Sequence, residues 1–214
     1  MVFDMPFNSY KNIGIVAKEF QISYVEENYI VETEISISDY FRSELELVLR
    51  KGVVRNSESA ICENLIYPIL KEVWKSYADE FLLWSHQTLN YDERLGGVPD
   101  YTLAKRSPLG KVVFDKPYCI VVEAKKDNFE EGWGQCLAAL IAAQNINQIP
   151  EMMIYGIVSN GETWEFGNLK LDRFIKNIKT YSIQYLDQLF AAVNYVFDRC
   201  RLQVESITTA IDAK

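Results

Sequence analysis

Gly97-Val98-Pro99-Asp100-Tyr101 and, after a hairpin-like insert, Tyr118-Cys119-Ile120-Val121-Val122-Glu123-Ala124-Lys125 are the stretch on which the fold turns. The run Cys119–Val122 is short, apolar and rich in β-branched residues, which predicts a buried strand. Side chains alternate along a strand, so Glu123 and Lys125 are expected on one face. An unpaired charge is costly to bury, and this pair therefore points to a cleft, a metal or mutual neutralisation. Asp100, beside a Gly-Pro-marked strand start, is placed to supply a second carboxylate.

Two carboxylates and a lysine around one point suit a divalent metal. Asp and Glu oxygens match Mg²⁺, which keeps several waters for chemistry. Such an ion polarises a phosphoryl oxygen while the lysine stabilises charge or positions the attacking water.

Pro99-Asp100 followed by Glu123-Ala124-Lys125 resembles the PD-(D/E)XK signature of the restriction-endonuclease-like nuclease superfamily. Further along, Gln135 resembles the glutamine that follows the Glu-x-Lys strand in several of these nucleases. Glu58, followed by Leu65-Ile66, Pro68 and Leu70, is similar to the first helix of the nuclease domain in type I restriction motor subunits. The unit from Tyr155 to Phe166, with Asn160-Gly161 at its turn, resembles a strand-turn-strand of the same subunits. The resemblance spans residues 57–167 and implies an α/β restriction-endonuclease-like core, a mixed central sheet flanked by helices. It further implies an Mg²⁺-dependent nuclease, with Mn²⁺ able to substitute, acting on DNA. Asp100, Glu123 and Glu58 would serve as metal ligands, Lys125 as charge stabiliser and Gln135 as an aid to positioning water or substrate. Glu58 has an alternative reading as a first-turn acid favoured by the helix dipole, and Gln135 as a surface amide. Glu63 is expected in solvent.

Composition bounds these expectations. The chain has 214 residues, consistent with one domain plus an appended element. We divide it into an N-terminal extension, 1–52, packed on the core, and a nuclease-like domain, 53–214, that includes a long C-terminal helix. No run of eighteen apolar residues and no basic-then-apolar leader occurs, so a cytoplasmic protein without a membrane span is expected. Cys62, Cys119, Cys136 and Cys200 are scattered and predict buried free thiols. One histidine, His86, gives little support for a zinc site. No P-loop is present. The net charge of −8 opposes bulk electrostatic binding to nucleic acid. It motivates a second reading, a catalytically silent nuclease-fold protein that serves as a binding or assembly module. A third is an unrelated meander in which Glu123 and Lys125 form a structural ion pair. Double-strand cutting would favour a two-fold homodimer.

Local patterns fill in the rest. Helical spacing predicts helices over Tyr10–Phe20, Tyr40–Arg50 (capped by Ser38 and Asp39), Asn56–Ser76, Asn128–Asn145 and Tyr185–Ile207. Alternation predicts strands over Tyr29–Ile37, Phe81–Asn90, Val98–Ala104, Met152–Ser159 and Glu162–Phe166. Pro68 should interrupt its helix.

Overall fold

The structure is a computed structural model that describes residues 6–212. Helix α1 (Ile13–Phe20), strand β1 (Ser23–Glu27) and helix α2 (Asp39–Lys51) come first. Helices α3 (Glu58–Ile61) and α4 (Tyr67–Trp74) follow, joined by a π turn over Cys62–Ile66. Next come β2 (Phe81–Ser85), β3 (Leu89–Asn90), β4 (Gly96–Gly97), β5 (Tyr101–Lys105), β6 (Tyr118–Ala124) and α5 (Phe129–Asn147). Strands β7 (Ile154–Ser159), β8 (Thr163–Lys170), β9 (Arg173–Asn177) and β10 (Tyr181–Ser182) precede the long helix α6 (Leu186–Asp212).

Eight strands form one mixed sheet in the order β1-β9-β8-β7-β6-β5-β2, with β10 beside β8. Strands β2, β5 and β6 make an antiparallel meander. β6 and β7 are parallel, joined by α5, whose alanines pack against both. Helices cover both faces. One core gathers Phe41, Leu65, Ile69, Phe166, Phe190 and Phe197 from α2, the π turn, α4, β8 and α6. The other gathers Val16, Val121, Leu137, Leu140 and Val158 around α1 and α5. Residues 6–52 therefore pack on both layers, and β1 extends the sheet by pairing parallel with β9.

Caps set the helix starts. Ser38 accepts from Phe41 N, Ser57 from Ala60 N and Asn128 from Glu131 N, each satisfying an amide left open by the helix. In an unbroken helix Pro68 would lack an N–H and crowd the carbonyl of Asn64. The π turn just before it widens the coil, with Tyr67 N bonding Cys62 O. The helix is thus relaxed rather than ended.

Three sequence expectations are corrected. Residues 29–37 form no strand. Ile35 and Ile37 do turn inward, but they pack on the helical layer instead of joining a ladder. Their backbone is met elsewhere: Tyr29 N and Ile30 N donate to Asn177 Oδ1, and Thr33 N to Ala191 O. The strand of this region is β1, whose polar Ser-Tyr-Val-Glu-Glu sequence hides it. The strand expected to reach Asn90 stops at Ser85, because His86 takes left-handed backbone, φ 51°. The strand expected from Val98 begins at Tyr101, so Asp100 immediately precedes it.

Candidate active site

Strand register brings the Pro-Asp and Glu-x-Lys segments together. Tyr101 pairs with Val122, so Asp100, one residue before β5, lies beside the end of β6. Its Oδ2 accepts from Ala124 N at 2.7 Å, between Glu123 and Lys125. Alternation along β6 sends Ile120, Val122 and Ala124 to one core and Val121 to the other. Glu123 and Lys125 share the parity of Val121 and face α5. The place is the carboxyl end of two parallel strands, where open α/β sheets commonly bind ligands.

Lys125 is held from two sides. Its N donates to Ser159 O at 2.9 Å. Its stem lies over Gly132, where an added Cβ would fall 2.8 Å from Lys125 Cγ and from Val158 Cγ1. The ammonium is 4.0 Å from Glu58 Oε2. Glu58 arrives on α3, which is seated by the Asn160-Gly161 turn: a Cβ on Gly161, φ +83°, would strike Leu65 and Ile61. Lys126 N also donates to Glu58 Oε1, at 3.5 Å. Asp100, Glu123, Lys125 and Glu58 therefore converge.

Glu123 and Lys125 do not form an ion pair with each other; among the described residues the carboxylate nearest the lysine is Glu58. Gln135 is buried, not a surface amide. Its Nε2 donates to Glu131 Oε1 at 3.1 Å, and the same oxygen meets Lys11 Nζ at 2.8 Å. Gln135 is thus engaged with Glu131 rather than with either carboxyl of the site. The Lys11 ammonium holds the Glu131 carboxyl below its usual range. Glu63 is exposed.

Electrostatics mark the spot. Burial pushes the Glu123 carboxyl well above the usual range, and the nearby Asp100 carboxylate adds to this; Lys125 opposes it. Burial also raises Asp100, against the Ala124 amide, Lys125 and His86. Glu123 receives no hydrogen bond from the described residues. Two neighbouring acids, both raised and one without a donor, form a site short of positive charge.

Carboxyls raised in this way are groups that a divalent ion would neutralise. Among the described residues no three His, Cys, Asp or Glu side chains form a ready cage. Mg²⁺, however, is commonly held by one or two carboxylates plus water. Asp100 and Glu123 are the oxygen donors that could hold it.

Two neighbours were not foreseen from sequence. His86 Nε2 lies 3.5 Å from Asp100 Oδ1. His86 N donates to Asp100 O at 2.9 Å. Cys62, on the π turn, adjoins Asp100 and Tyr101, and burial pushes its thiol up to about 12, so it is an inert thiol. Only the pairing of Ser85 with Tyr101 brings His86 here; its sequence context, Trp-Ser-His-Gln, carries no signal of it. All four cysteines are buried and free.

The basic residues near the motif in sequence do not line one groove. At about 3.4 Å per residue, five residues of antiparallel strand put Lys105 about 17 Å from Asp100. Lys105 meets Thr208, Arg106 meets Ala78 O and Arg94 meets Glu19. Lys125 and Lys126 remain at the site. Concavities of about 400 Å³, between α2 and α4, and about 700 Å³, beside α1 and α5, are lined by none of the five expected residues. No helix among the described residues is long and apolar enough to cross a membrane.

No protein-family model matches the chain, and no curated protein matches it significantly.

Proposed function

We propose that the chain is a metal-dependent nuclease of restriction-endonuclease-like type, hydrolysing phosphodiester bonds of DNA at Asp100, Glu123 and Lys125. The observation that carries this reading is the bond from Ala124 N to Asp100 Oδ2, which joins two motifs that the sequence holds apart. Asp100 and Glu123 would hold Mg²⁺ or Mn²⁺. When bound, the ion supplies Lewis-acid polarisation of the phosphate and lowers the pKa of water. Lys125, fixed by Gly132 and by Ser159 O, would neutralise charge developing on the phosphoryl oxygens and orient the attacking water. Glu58, 4.0 Å from Lys125, would restrain the ammonium from swinging out to solvent. Gln135 acts at one remove, by holding Glu131 beside the start of α5.

The net charge of −8 and the dispersal of the basic residues favour a second reading, a silent nuclease-fold binding module. Plasmid nicking with Mg²⁺ or Mn²⁺ separates the two. Wild type should nick, and Asp100→Ala and Lys125→Ala should each lose about 100-fold or more. Wild type that binds metal but cuts neither plasmid nor single-stranded DNA would sink the nuclease reading.

A further inference from the structure

The concavity of about 700 Å³ beside α1 and α5 takes no part in the acid-and-lysine chemistry, yet it has the make-up of a ligand site. Its size and its mostly apolar lining, with a few polar groups, are those of small-molecule pockets. Tyr24 from β1 and Phe129 and Trp133 from α5 supply its aromatic walls. The Trp133 indole is fixed in place. Its Nε1 donates to Glu165 Oε2 at 2.5 Å, and Lys176 Nζ meets the same oxygen at 2.8 Å while lying 5.6 Å from the ring centroid. Phe174 backs two of the walls, its centroid 5.5 Å from that of Trp133 and 6.1 Å from that of Tyr24.

The facing wall is low. Gly14 and Ala17, neighbours on one face of α1, line it. A Cβ on Gly14 would meet only Asn12 Oδ1, at 3.3 Å, so the space in front of it is open. Asn12 spends its Oδ1 on Ile15 N and keeps Nδ2 as a donor, and the exposed Glu130 offers an acceptor. Tyr24 is 43% exposed, which leaves a ring face uncovered. Such a lining suits a flat ring with donors and acceptors on its edge. Position adds the rest. Gly132, the neighbour of Trp133, packs on Lys125, so the concavity and the Lys125 site flank the first turns of α5, about one helix diameter, 10–12 Å, apart. Lys11, next to Asn12, reaches Glu131, next to Gly132, and puts an ammonium along the same stretch.

We propose that this concavity seats one unstacked base of a single-stranded DNA segment whose backbone runs on to Lys125. The inference deepens the nuclease reading by naming the form of the substrate, and it rests on that reading for the class of ligand. A chain of net charge −8 with its basic residues dispersed is poorly suited to hold a strand through phosphates alone. Stacking on aromatic faces is a grip that does not depend on net charge, and it tolerates any sequence because every base has a π-face.

The probe is a short single-stranded oligodeoxynucleotide carrying 2-aminopurine, a fluorescent base that is quenched when it stacks on an aromatic ring, titrated with the full chain in a chelator. Free deoxyadenosine monophosphate is the competitor that separates a base held in a strand from a free nucleotide. Tyr24→Ala removes the uncovered stacking face, and Gly14→Leu fills the cavity from an exposed position on α1. Thermal melts confirm that both variants fold. Wild type should quench the probe, and each variant should bind it about 5-fold to 150-fold more weakly, the range of single-base stacking losses. The assay needs no metal, so this result supports the stacking site even where plasmid nicking is absent and the nuclease reading alone fails. No quenching by wild type, or equal binding by wild type and both variants, overturns the stacking site and leaves the nuclease reading to the nicking assay. Deoxyadenosine monophosphate that competes as well as the unlabelled strand overturns the strand as the occupant.

Discussion

Replacing Glu123 by glutamine should stabilise the metal-free protein, by an amount that grows with pH. The side chain is 5% exposed, receives no hydrogen bond from the described residues and lies beside Asp100. Its folded pKa is raised well above 4.5. An acid with a raised folded pKa binds more protons in the folded than in the unfolded state across the interval between the two values. The slope of stability with pH is then negative: nothing is lost below about pH 4.5, and stability falls as pH rises toward the folded pKa. For one proton the slope is about 1.4 kcal/mol per pH unit. At about 2–4 °C per kcal/mol for a chain of this size, wild type should lose about 3–6 °C of Tm per pH unit relative to Glu123→Gln. The assay is thermal unfolding in a chelator, in half-unit steps from pH 4 to pH 8. The two curves should coincide near pH 4.5 and separate above it. Mn²⁺ should restore wild type and leave the variant unmoved, because binding to the folded state alone adds stability. Parallel curves across the range would refute the buried, unbonded carboxyl on which the site rests.

Two other variants probe the supports of the site and of the N-terminal segment. Gly132→Ala places a Cβ 2.8 Å from Lys125 Cγ and from Val158 Cγ1. Overpacking of about 1–3 kcal/mol should outweigh the gain of up to about 1 kcal/mol in helix propensity, and nicking should fall further than Tm suggests, because Lys125 is displaced. A variant with full nicking would show that the lysine stem is free to move. Asn177→Ala leaves Tyr29 N, Ile30 N and Lys179 O without their partner. Chemical denaturation should show a loss of about 1–3 kcal/mol; an unchanged midpoint would mean that water replaces the amide.

The elements legible in sequence were those whose signal is local. Ser38 and Ser57 announce their helices because a hydroxyl before a helical run meets a free amide wherever the chain goes. Asn160-Gly161 announces a turn because Gly161 tolerates φ +83°. Strand β6 was plain, since its seven residues are all buried. The failures were non-local. Residues 29–37 alternate like a strand, but the surface they meet is helical, and side-chain amides replace the ladder. β1 looks polar because its pairing with β9 needs only backbone, and its side chains are mostly exposed.

The same division runs through the site. Residue identity alone specified two acids and a lysine, with Glu123 and Lys125 on one face by the two-residue period of a strand. It could not place Asp100 against Ala124, His86 against Asp100 or Gln135 under Glu131. Those distances follow from the register of β2, β5 and β6 and from α5 packing across β6 and β7. Secondary structure arises from sterics and hydrogen bonds within a few residues, so sequence displays it. Register and layer packing arise from contacts between segments tens of residues apart, and they alone decide which side chains share one point in space.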